Sequence, residues 1–143
     1  MASNLETALT ALAAVLGAIP GPDFARNDPS ERAVPPGGRI DLSDGELADP
    51  EVYLSPLAYG HVANAEVVVV VQAGTPEARD AALDDLLERI KDAIGADPTL
   101  GGAVEAAGIV APERLTEPAD NGKPIKGARI VVALEFMSNS PLG

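Results

Sequence analysis

The chain contains no cysteine and no tryptophan. Without cysteine there are no disulfides, no thiol nucleophiles and no thiolate zinc sites. Aromatic residues are scarce, with two Phe and two Tyr, so a core has to be assembled from Ala, Val, Leu and Ile. Positive charge is also short: 10 Lys and Arg stand against 22 Asp and Glu, a net charge of −12. A free-standing DNA or RNA binder needs the opposite sign to pair with phosphates, and an anionic membrane surface is disfavoured for the same reason. No uncharged stretch reaches the length of a bilayer span. The opening MASNLETALTALAAVLGAI lacks a basic leader region, and Glu6 interrupts its approach to the apolar run. These absences lead to the expectation of a soluble protein made in a cytoplasm, with no membrane partner.

What is present suits one α+β domain over residues 1–143. Ser3 followed by Glu6 is a capping-box pattern, and Leu5, Leu9, Leu12, Leu16 and Ile19 recur at helical spacing. They predict a first helix over about Asn4–Ala18, stopped by Pro20-Gly21-Pro22. Its alanine-rich remainder suits either close packing on a sheet or a face for a partner subunit. Residues 20–38, PGPDFARNDPSERAVPPGG, are too rich in Pro and Gly to suggest a regular element. A loop of that length is often functional, and this one carries Arg26, Asn27 and Arg32. It reads as a solvated connection or as a docking segment.

Alternation in RIDLSDG predicts a half-buried strand ending in a turn at Asp44-Gly45. Five acids lie between Asp41 and Glu51, but placing Gly45 in the EF-hand glycine position puts Ile40 where the first calcium ligand belongs. The register fails, leaving a solvated acidic turn. His61–Gln72 reads as a strand whose centre, Val67–Val71, is apolar on both faces and therefore expected to be covered on both, by helices or a neighbouring subunit. Thr75-Pro76 opens a second helix, with an apolar stripe of Leu83, Leu86, Leu87, Ile90 and Ile94 and a C-cap at Gly95. A helical turn around Ala103–Ala107 follows. Next comes an edge segment near Ile109, because Pro112 and Pro118 argue against a central strand. A tight turn at Asn121-Gly122 leads to a last strand over Ile125–Met137. Ile130, Val132, Leu134 and Phe136 share one side of that strand, and Arg129, Val131, Ala133 and Glu135 the other. The order α, β, β, α, β, β describes a mostly antiparallel sheet with two main helices packed on it.

Chemistry motifs are weak. GADPTLGG at 95–102 looks like a phosphate loop, but no Lys or Arg lies between Lys91 and Arg114, and the loop follows a helix rather than a strand. It reads better as a turn in which Asp97 or Thr99 caps the next short helix and Gly101-Gly102 permit close approach. Leu100 within it either tucks under its own helix or inserts into a neighbour. The sole histidine, His61, has Ser55 near it in sequence but no nucleophile elbow, and a structural role is the expectation. No cofactor or metal is expected, and no spacing supports a carboxylate metal site.

Several stretches in order carry a resemblance. They are ARND (25–28), PPGGRIDLSDG (35–45), YLSPLAYGHVANAEVVVVV (53–71), RDAALDDLLERI (79–90), DPTLGG (97–102), IKGARIVVALEF (125–136) and the closing PLG. Together they resemble a tail terminator protein of long-tailed bacteriophages or phage-like particles. The resemblance implies a small, non-enzymatic α+β virion subunit that closes into a homo-oligomeric, usually hexameric, ring. That ring would sit on the last ring of tail tube protein, end tube growth and receive a head-completion or stopper protein. DNA would pass through its acidic lumen without specific binding. The expected docking residues are Arg26, Asn27, Arg32, Leu100, Gly101, Gly102, Pro141 and Leu142, with the 20–38 loop and the SNSPLG tail ordered mainly by partners. Three other readings stay open: another neck component, a small enzyme with an unrecognised carboxylate site, and a binding module with no virion role.

Overall fold

The computed structural model describes residues 2–28, 33–116 and 124–143. Its elements run α1 (Asn4–Gly17), β1 (Asp23–Arg26), β2 (Arg39–Leu47), β3 (Glu51–Leu54), β4 (Leu57–Gln72), α2 (Pro76–Ala96), β5 (Ala106–Thr116) and β6 (Ile125–Ser138). The strands form one sheet in the order β1-β2-β4-β6-β5, with β3 paired to β4 beyond the end of β2. Every pairing is antiparallel except β1 with β2. The protein is therefore an α+β fold with a mostly antiparallel sheet.

Both helices start where their capping residues dictate. Ser3 Oγ accepts from the Glu6 amide, and Thr75 Oγ1 accepts from the Ala78 amide with Pro76 just inside the helix. Helix α2 runs through Gly95 to Ala96 and is capped by Asp97, slightly beyond the expected stop. Ala8, Leu9, Leu12 and Leu16 of α1 and Leu83, Leu86, Ile90 and Ile94 of α2 bury against one face of the sheet. That face is built from Ile40, Leu42, Ala63, Ala65, Val67, Val69, Ile130, Val132 and Leu134. The alanines of α1 divide: Ala8 is buried, Ala11 and Ala13 pack at the edge of the core, and Ala14 and Ala18 are exposed.

Among the described residues no helix lies on the opposite face. Val62, Asn64, Glu66 and Val68 of β4 are half-buried there, beside Val131 and the exposed Arg129 and Glu135 of β6. Of the two covers expected for the valine run, helices or a neighbouring subunit, helices account for one face: among the described residues, the half-buried Val68 and the buried Val70 point away from both helices. Cross-strand neighbours such as Arg129 and Glu66, 3.7 Å apart, shelter them in part.

Four expectations are corrected. The 20–38 segment contains β1, since Asp23–Arg26 pair in parallel with Arg39–Leu42 and Phe24 packs at the edge of the core. Asp44-Gly45 is an irregularity inside β2, which resumes pairing at Glu46. Gly45 has φ +66°, and a Cβ there would lie 1.9 Å from the Asn64 carbonyl oxygen, so only glycine fits. No helix forms at 103–107; the chain turns through 98–104 and enters β5. Finally, the sheet carries a β3–β4 hairpin, with β4 starting at Leu57 rather than His61. Strand β5 is an edge strand, as Pro112 requires. The proposed turn at Asn121-Gly122 lies outside the described residues.

Candidate interaction surfaces

Arg26 and Asn27 are engaged within the chain. The Arg26 guanidinium donates to both carboxylate oxygens of Glu6, at 2.9 and 3.1 Å, and to Asp44 Oδ1 at 3.0 and 3.1 Å. Asn27 donates to the same Asp44 oxygen at 3.0 Å and accepts from the Asp44 amide at 3.2 Å. This cluster ties α1, β1 and β2 together. Its charge balance explains the titration shifts. Hydrogen bonding and charge from Arg26 hold the Glu6 carboxyl below its ordinary range, and Glu6 and Asp44 raise Arg26. Glu6 thus serves Arg26 rather than completing a capping box with Ser3. Arg32 lies outside the described residues.

The GADPTLGG loop is closed on itself. The amides of Leu100, Gly102, Ala103 and Val104 donate to carbonyls of Asp97, Thr99 and Leu100, so they do not form a cradle for an anion. Leu100, at φ +49°, is buried in the chain's own core, the first of its two expected placements. Gly101 and Gly102 have φ of +71° and +91°, and nothing lies within 4 Å of a Cβ built on either. Their glycines satisfy backbone conformation, not close approach.

The C-terminal tail is held by the fold itself, in contrast to the expectation of ordering by partners. His61 is 2% exposed, and its Nε2 lies 2.9 Å from both Ser138 Oγ and the Ser140 carbonyl oxygen. A carbonyl only accepts, so the Ser140 contact places the proton on Nε2. Ser138 donates to the same carbonyl, at 2.8 Å. Nδ1 is buried without a hydrogen-bond partner, and the ring stacks on Phe136 at 5.1 Å. Sequence reasoning did not pair His61 with Ser138, 77 residues away. The pair lacks what an activated nucleophile needs: the imidazole atom facing the hydroxyl already carries a proton, no carboxylate orients the ring, and both residues are buried. It is a clasp that fixes Ser140, from which the turn to a buried Gly143 is made. Pro141 and Leu142 remain exposed, Leu142 at 81%.

Among the described residues, exposed apolar side chains cluster at a place the sequence reading did not mark. Strand β3 pairs with the start of β4 from Glu51↔Gly60 to Leu54↔Leu57, closing through Ser55-Pro56. Val52, Tyr53, Leu54 and Leu57 are 54%, 49%, 79% and 56% exposed. The Tyr53 ring lies across Gly60, where a Cβ would come within 3.1 Å of it. Its hydroxyl donates to Glu51 at 2.9 Å, and that bond, with the charges of Glu51 and Glu105, raises the phenol above its ordinary range. The hairpin is thus shaped and acidic, and the apolar side chains at its tip stand about half exposed or more. The residues YLSPL carried the signal, since aromatic and branched residues flank a Ser-Pro turn.

Among the described residues no helix is long and apolar enough to cross a membrane, and no group of three or more His, Asp or Glu could hold a metal ion. No family model matches this chain, and none of the curated proteins matches it.

Proposed function

We propose that this chain is a structural subunit that closes into a homo-oligomeric ring at the end of a phage-type tail tube. There it ends tube growth and joins the tail to the neck. The observation that carries the assembly role is the β3–β4 hairpin. Four large apolar side chains at its tip are about half exposed or more, Leu54 most of all, on a protein whose net charge of −12 otherwise favours dispersion. The place of that assembly in a tail rests on the resemblance of the ordered segments from ARND to PLG. On this reading the buried His61–Ser138 pair shapes the C-terminal end. Partners on this reading are further copies of the chain, the tube protein and a head-completion or stopper protein, with an acidic lumen that DNA traverses. The virion would be its final location.

The test is tube assembly. The cognate tail tube protein is polymerised with and without this chain, and the products are imaged by electron microscopy. Shortened tubes bearing a ring of extra density at one end are expected. Tubes that grow to the same lengths with bare ends would refute the role.

A further inference from the structure

The two ends of the long strand β4 differ in charge as well as cover. No Lys or Arg occurs between Arg39 and Arg79, and the hairpin end carries Glu46, Asp49 and Glu51. At the Gln72 end the cations gather. Lys126 contacts Asp80, and Arg79 and Arg114 also draw that carboxyl below its ordinary range. Beside them lies a cavity of about 450 Å³ walled by Val34, Pro35, Pro36, Ala73, Gly74 and Pro124. Arg79 borders it by donating to the Ala73 carbonyl at 3.0 Å. One end is therefore an apolar projection beside Glu46, Asp49 and Glu51, and the other an apolar recess beside Lys126, Arg79 and Arg114, which share Asp80.

We propose that the hairpin tip of one copy seats in the Val34–Pro36 and Ala73–Gly74 recess of the next copy, head to tail. This deepens the ring reading and rests on it. A contact between unlike surfaces is heterologous, and it yields a ring when its rotation closes. Its area also sets the expected strength. Side chains of at most about 250 Å² each, roughly half exposed, supply well under the ~800 Å² per partner of a stable interface. A single docking event is then weak. Assembly depends on each copy making the contact twice or on the tube end collecting the copies.

Cysteine crosslinking tests it, because the native chain has no cysteine to interfere. Leu54 is 79% exposed, and a Cβ on Gly74 meets nothing within 4 Å, so Leu54→Cys and Gly74→Cys leave packing alone. The 16 residues of β4 lie between these positions and span roughly 50 Å at about 3.3 Å each, so a disulfide joining them has to link two copies. Oxidation of the double variant, in concentrated solution and on tube ends, should give a ladder of covalent multimers, and neither single variant should. A covalent dimer from Leu54→Cys alone would overturn the proposal by showing that hairpins meet hairpins. A ring by native mass with no crosslink in the double variant would overturn this contact and leave the ring reading standing. A chain that stays a single copy with and without tubes would sink both.

Discussion

Strand β4 is two things along its length. From His61 to Val71 every second residue is buried beneath the helices, with Ala65, Val67 and Val69 at 0% exposure. From Leu57 to Gly60 it leaves the helices behind and pairs with β3, whose four residues are all exposed. Both stretches are apolar, so composition does not distinguish them. What differs is the cover: the core half has α1 and α2 across from it, and the hairpin half, though paired with β3 and at Tyr59 and Gly60 with β6, has no helix packed on β3 among the described residues. Apolar side chains left exposed on a strand are an assembly surface or a liability. The Tyr53 hydrogen bond to Glu51 and the bare Gly60 under its ring show a hairpin with defined shape, which favours the first.

The contrast breaks most sharply in the core. Leu134 is fully buried under the helices, and Leu134→Ala should destabilise the protein by about 2–5 kcal/mol, read from urea unfolding. Gly45→Ala should come next. The added Cβ would meet the Asn64 carbonyl and sit at positive φ, a loss of at least about 2 kcal/mol by the same measurement. The hairpin should behave in the opposite way. Leu54→Ser should change stability by no more than about 0.5 kcal/mol and yet abolish ring formation and tube capping. A comparable loss of stability at Leu54 and Leu134 would erase the distinction between the two halves.

The Arg26 cluster sharpens the comparison through pH. Arg26 depresses the folded-state titration of Glu6, so the pair's contribution is complete above the unfolded carboxylate range and is lost as pH falls through the lower folded value. Arg26→Met should lower the urea midpoint at neutral pH, and the gap to wild type should narrow on acidification. A gap independent of pH would mean that Arg26 acts by packing alone. The smallest effect should come from the GADPTLGG loop. The amides of Leu100, Gly102, Ala103 and Val104 are satisfied within the chain, so calorimetry with ATP, with or without magnesium, should show no saturable heat.

Much of the core architecture was legible because it is local. Thr75-Pro76 and the stripe from Leu83 to Ile94 specify α2 without reference to any other segment, and Ile130, Val132, Leu134 and Phe136 specify β6. The missed elements depend on distant partners. Asp23–Arg26 becomes a strand only because β2 offers a parallel edge, and no periodicity in DFAR announces it. Arg26 was conspicuous as a base in an acidic chain, but Glu6 and Asp44, 20 and 18 residues away, claim it. Gly101 and Gly102 were legible as glycines a turn demands, while their open surroundings were not. The hairpin was readable in YLSPLAYG and was passed over because four residues and a proline make a faint strand.

Native mass spectrometry of the wild-type chain and of Leu54→Ser, each free and released from tube ends, tests the central claim most directly. The account predicts that wild type recovered from tube ends has the mass of a closed multimer, and that Leu54→Ser remains a folded single copy that tubes do not retain. A wild-type chain that is never more than one copy, or a Leu54→Ser variant that assembles as wild type does, would contradict it.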